Sequence, residues 1–175
     1  MRQADDKVLL YGFGNPARGD DGLGPALVEA IAALALPGVR VDANYQLTVE
    51  DAAEMGHYQA VVFVDAATDG PSPFWFSRID DSGVGRLGFS SHSVTPAEVV
   101  ALARDLFGTK VAAYALGIRG HAFGEFDEGL SVPARDNLDQ AVAFARKALA
   151  ERRFEEYVQE FGYPAAGLGG STWKA

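Results

Sequence analysis

Residues Lys7 to Leu27 read KVLLYGFGNPARGDDGLGPAL, and within them the chain changes character twice. Val8 to Tyr11 is a continuous apolar run, as expected of a short strand buried on both faces. Gly12, Gly14 and Gly19 then punctuate a turn that carries two adjacent acids, Asp20 and Asp21. Beyond the acids the apolar residues fall at Leu23, Leu27, Ile31 and Leu34, a spacing that predicts one core-facing helical stripe. Pro25 fits only in the first turn of that helix, and Pro37-Gly38 predicts its end. Strand, glycine turn and helix together predict the opening of an α/β domain, whose ligands gather where the strands end.

The flanking sequence continues the alternation. Val39, Val41, Ala43 and Tyr45 alternate with polar residues and predict a second strand. Thr48 followed by Asp51 resembles a helix N-cap, predicting a short helix over about 48–56. The strongest strand signal is Gln59 to Ala66, QAVVFVDA, which closes on an acid, Asp65. A turn at Asp69-Gly70-Pro71 precedes a weaker strand, Phe74 to Ile79, and a glycine-rich loop then leads to His92. Thr95-Pro96-Ala97-Glu98 predicts a helix start, with Thr as cap, Pro at the first position and Glu three after the cap. Val99, Leu102 and Leu106 form its expected buried stripe, and Gly108 its stop. Lys110 to Ile118 predicts another strand, Gly117 to Gly129 a long loop, and Pro133 to Arg152 a last amphipathic helix. The fold class expected is α/β, a three-layer α/β/α sandwich around a mostly parallel sheet. Residues 1–150 read as one domain. Residues 151–175 read as a helical extension, with Phe154, Val158 and Phe161 apolar, and a frayed tail.

Composition narrows the function. The net charge of −9 argues against nucleic acid or an anionic membrane as partner, because neutralising phosphates takes clustered Lys and Arg. Cysteine is absent, which removes disulfides, thiol nucleophiles and thiolate metal sites together. Any metal must be held by His, Asp or Glu. MRQADDK at the start lacks the apolar core of a signal peptide, and no apolar run approaches the roughly 20 residues of a membrane span. A cytoplasmic protein is the expectation, and a monomer.

Three polar residues stand at element boundaries: Asp21 after the first strand's turn, Asp65 at the end of the central strand, and His92 before the capped helix. The carboxyl ends of parallel strands share one edge, so Asp21 and Asp65 are expected to approach each other. Two carboxylates and an imidazole suit nickel, zinc, manganese or iron and leave coordination positions open. Each residue also has a plainer account. An acid at a helix start is favoured by the helix dipole and by capping alone, which serves Asp20 best. Asp65 could cap the next turn, although an acid closing an apolar strand is costly unless paired or solvated at a cleft. His92, flanked by serines, could be a hydrogen-bonded loop residue. His57 reads as a surface residue, and His121 could contact substrate. A dinucleotide site is the competing reading of GFG, with Asp42 as the ribose acid, but Asp20 and Asp21 put negative charge where a pyrophosphate needs positive potential.

In order along the chain, GFGNPARGDDGLG, VVFVDAATDG, SSHSVTP and LGIRGHAFGEFDEGLS resemble the hydrogenase maturation endopeptidases over residues 7 to 150. The resemblance implies a five-stranded, mostly parallel sheet and metal ligands at Asp21, Asp65 and His92. It implies removal of a C-terminal extension from the [NiFe]-hydrogenase large-subunit precursor after nickel insertion, with the three ligands reading nickel that the substrate carries. Asp21 or Asp65 would serve as general base on water, or the nickel would polarise the scissile carbonyl. A non-catalytic chaperone that binds the precursor's nickel site and a nucleotide-binding domain are the alternatives. Past Ala150 the resemblance implies nothing.

Overall fold

The computed structural model describes residues 7–80, 94–124 and 128–163. Five strands form one sheet: β1 (Val8–Phe13), β2 (Val39–Asn44), β3 (Ala60–Ala67), β4 (Phe74–Arg78) and β5 (Ala112–Arg119). Their order across the sheet is β2-β1-β3-β5-β4, with every pair parallel except β4 against β5. The five described helices are α1 (Leu23–Ala32), α2 (Asp51–Glu54), α3 (Pro96–Phe107), α4 (Val132–Glu151) and α5 (Phe154–Phe161). The α/β/α sandwich expected from the sequence is therefore present.

Side-chain alternation along the strands assigns the layers. Val8 and Leu10 of β1, with Val62 and Val64 of β3, share one core with α1, α4 and α5. Leu9 and Tyr11, with Val61 and Phe63, share the other with α2 and α3. Every residue of β3 is buried, which is why this strand reads as an apolar run interrupted only by Asp65.

Three glycines set the spacing at the first strand's end. A Cβ on Gly12 would lie 2.5 Å from the Gly24 carbonyl oxygen, and one on Gly24 would lie 2.6 Å from the carbonyl oxygens of Phe13 and Val64. The pair lets α1 pack backbone to backbone on β1 and β3. Gly14, at φ 140°, takes a conformation that side chains disfavour, and a Cβ there would strike the Asp21 carbonyl oxygen at 2.0 Å.

Local differences from expectation lie at element ends. α1 stops at Ala32, so Leu34 falls beyond it and is 43% exposed rather than part of the buried stripe. Leu106, in the last turn of α3, is 68% exposed; Val99, Val100, Leu102 and Ala103 do the packing instead. Gly117 to Arg119 continue β5 before the loop begins. Around Thr48 the helix proper starts only at Asp51, whose carboxylate accepts from the Thr48 N–H at 2.7 Å. The cap at Thr95 is as expected, with both halves of the capping box formed. No described helix is long and apolar enough to cross a membrane.

Candidate active site

The chain changes direction between β1 and β3. From β1 it passes through α1, on one face, to the outer strand β2; from β3 it reaches β5 through β4 and α3, on the opposite face. Connections that diverge in this way open a crevice at the carboxyl ends of the two strands. Here it is a cleft of about 230 Å³, and both Asp21 and Asp65 line it.

Asp65 has the strand parity of Val61 and Phe63, so it projects toward the α2/α3 face, with 3% of its surface exposed. Its Oδ1 accepts from the Ala66 N–H at 2.7 Å. Asp21 stands in the 3-10 turn Gly19–Gly22 that precedes α1. Its Oδ2 accepts from the Asn15 N–H at 2.9 Å, which draws the glycine turn closed around it. Gly14 lies between the two acids: the Cβ it lacks would sit 2.0 Å from the Asp21 carbonyl oxygen and 3.6 Å from Asp65 Oδ1. A side chain at this position would fill the space that the two carboxylates face.

Asp20, one residue away, does something different. It is fully buried, and its carboxylate takes four hydrogen bonds from residues more than 100 positions distant. Oδ2 accepts from the backbone of His121 and Ala122 and from Ser131 Oγ, and Oδ1 accepts from the Ser131 N–H, all at 2.7 or 2.8 Å. Burial pushes this carboxyl upward, but hydrogen bonds from His121, Ser131 and Ala122 outweigh it and hold the group below the usual carboxylate range. Ser131 is also the N-cap of α4, accepting from the Ala134 N–H at 3.3 Å. Asp20 thus fastens the loop after β5 and the start of α4 to the glycine turn, where the sequence suggested a helix-dipole contact.

The remaining sequence candidates separate cleanly. His92 lies outside the described residues. His57 is exposed, as expected. His121 is also exposed and is held by its backbone, its side chain lying outside the cleft lining. Asp42 turns its Oδ1 back to the Ala43 N–H. Among the described residues no three His, Asp or Glu side chains form a metal-ligand group, so Asp21 and Asp65 are the described part of the expected set. As two oxygen donors on one cleft they suit a hard or borderline divalent ion.

Other lining residues escaped the sequence reading. Arg18 comes from the glycine turn itself, and Tyr45, Gln46 and Leu47 from the segment just after β2. A signal for the latter existed. β2 runs parallel to β1, so whatever follows Asn44 must emerge on the same edge as Gly14, and the Gly14 N–H in fact donates to the Asn44 carbonyl at 3.1 Å.

A three-layer α/β/α domain with paired carboxylates at its switch point is thus the class to which fold and cleft point. Among solved structures, this fold is that of the hydrogenase maturation endopeptidases. The hydrogenase maturating endopeptidase HybD from E. coli superposes with a TM-score of 0.64 at 18% identity, over 84% of this chain and 94% of its own. The [NiFe] hydrogenase maturation protease HycI from Thermococcus kodakarensis KOD1 gives 0.60 at 22%, over 83% and 93%. The hydrogenase 2 maturation peptidase from Thaumarchaeota archaeon SCGC_AB-539-E09 gives 0.59 at 22%, over 82% and 97%. At these identities the likeness is one of fold. No protein-family model and no curated protein matches the sequence.

Proposed function

We propose that this chain is an endopeptidase that removes the C-terminal extension of a [NiFe]-hydrogenase large-subunit precursor once nickel has been inserted. The observation that carries the reading is the meeting of Asp21 and Asp65 on one cleft at the switch point of a fold shared with hydrogenase maturation endopeptidases. The substrate brings the nickel. Asp21 and Asp65 offer it oxygen ligands, and His92 is the proposed third. Val94, two positions further along the chain, lines the same cleft. A precursor without nickel would give these ligands nothing to hold, so insertion gates cleavage.

The same carboxylates supply the acid–base chemistry. Asp65, almost wholly withdrawn from bulk solvent and lining the cleft, would take a proton from an attacking water and return it to the leaving amine. Asp21 is fixed by its bond to the Asn15 amide and holds the metal-bearing segment of the substrate in register. The nucleotide alternative has less support. Its glycines are used for helix–strand packing, and the cleft presents carboxylates rather than an anion-binding turn.

Incubating the protein with nickel-loaded and nickel-free precursor of its cognate hydrogenase tests the proposal. Shortening of the loaded form alone, read by mass spectrometry, is expected. Equal cleavage of both forms, or none of the loaded form, overturns it. A stable complex with unchanged precursor mass would identify a nickel-site chaperone instead.

A further inference from the structure

The cleft holds one charge that the proposed reaction leaves unused. Arg18 is the only cation among its described lining residues, where the acids are Asp21 and Asp65. Its side chain is exposed, and among the described residues no acid forms an ion pair with it. Its carrier is nonetheless fixed. The Arg18 N–H donates to the Asn15 carbonyl at 3.0 Å, the Asp21 N–H to the Arg18 carbonyl at 3.4 Å, and the Ala17 N–H to Asn15 Oδ1 at 3.0 Å.

A guanidinium three residues from a carboxylate would ordinarily fold back onto it. Here Asp21 Oδ2 accepts from the Asn15 amide, and Arg18, which lines the cleft, pairs with no acid among the described residues. Across from the acids' turn stands Tyr45, 71% exposed, with Gln46 beside it. Two aspartates on a chain of net charge −9 would repel any carboxylate that a peptide carried into this cleft. A planar, fork-shaped cation reverses that at one point, and carboxylate is the group it matches two bonds at a time.

We infer that Arg18 is a specificity-determining residue that binds a carboxylate of the peptide substrate, from either its free C-terminus or an acidic side chain near the scissile bond. The inference rests on the peptide-binding reading of the cleft but needs neither nickel nor a particular precursor. It is tested on the isotope-labelled full-length protein by NMR, following the Arg18 Nε–Hε resonance and the Gly14 and Gln46 amides. Three peptides are titrated: acetyl-tetra-alanine, its C-terminal amide, and amidated acetyl-Ala-Ala-Asp-Ala. One or both carboxylate peptides should shift these resonances, and the neutral amide should not. A response to tetra-alanine assigns the terminus as source, and a response to the aspartyl peptide assigns the side chain. Arg18→Gln should weaken carboxylate binding by at least about threefold, with Arg18→Lys in between. Equal binding of the neutral amide, unchanged affinity in Arg18→Gln, or no response to any peptide overturns the assignment. A failed processing assay would leave this result standing, so the two readings fail separately.

Discussion

Asp20 and Asp21 are neighbours in sequence and opposites in use. Asp21 lines the cleft and accepts from the Asn15 amide, whereas Asp20 is saturated by four donors and sealed from solvent. Substitution should separate them. Asp21→Asn, Asp65→Asn and His92→Ala are each expected to lower precursor processing by at least about a hundredfold with the thermal transition near that of the parent. Wild-type processing by any of the three would remove that residue from the site. Asp20→Asn should instead cost about 3 kcal/mol at neutral pH, because an amide nitrogen would face backbone N–H donors. The pH dependence follows from the sign of the shift. Asp20 is held below its unfolded value in the folded protein, so its stabilisation is complete above the ordinary aspartate range and is lost as pH falls through the folded value. Urea midpoints measured from pH 7 down to pH 3 should therefore fall less steeply in Asp20→Asn than in the parent. Parallel profiles would show that the hydrogen bonds do not favour the charged form.

At the scale of elements, α1 is held against the sheet by absence of side chains rather than by their presence. Gly24→Ala would press a methyl group within 2.6 Å of two carbonyl oxygens, on β1 and β3, with no flexible side chain to yield. We expect a loss of about 1–3 kcal/mol, read as a lowered urea midpoint. Because α1 follows the Asp21 turn directly, processing should fall further than stability alone explains. An unchanged midpoint would mean that helix and strand can part without cost. The same contact shows where sequence reading stopped. Whether GFG cradles a phosphate or admits a helix depends on what lies above it, and local pattern does not carry that. Signals confined to a few residues were legible: the Thr95–Glu98 capping box and the buried run of β3, although that strand continues past Asp65 to Ala67. Long-range partners were not. Nothing near Asp20 announces donors at His121 and Ser131, and no periodicity says that α1 ends before Leu34 or that Leu106, in the last turn of α3, stays in solvent.

For the whole molecule the decisive feature is how the sheet is closed at β4. This edge strand runs against its neighbour, and its Phe74 and Phe76 are covered jointly by Phe144 of α4 and by Phe161 and Phe154 of α5. Arg152, at φ 57°, turns the chain sharply out of α4, and α5 then lies along β4. Phe154 stacks near Tyr114 and Phe76 at centroid distances of 5.0 and 6.3 Å, and Tyr157 meets Phe144 edge-on at 5.3 Å. Glu155 accepts from Tyr114 Oη at 2.9 Å and pairs with Arg78; burial first, and that bond second, push the Tyr114 phenol up to about 12. Residues 154–161 therefore complete the same core that supports β1 and β3, and through them the cleft. Losing a buried aromatic side chain costs about 3–5 kcal/mol, and a whole domain has about 5–15 kcal/mol in hand. Phe154→Ala should accordingly lower stability by about 3 kcal/mol, and truncation after Glu151 should abolish cooperative unfolding, because it strips Phe154 and Tyr157 together and bares the apolar face of β4 to self-association. Urea denaturation followed by tryptophan fluorescence reports this directly, since Trp75 lies buried on β4 with its indole packed against Gly117. A truncated chain that unfolded cooperatively at the parent midpoint would show that the sheet stands without α5 and that the cleft is supported from the α1 side alone.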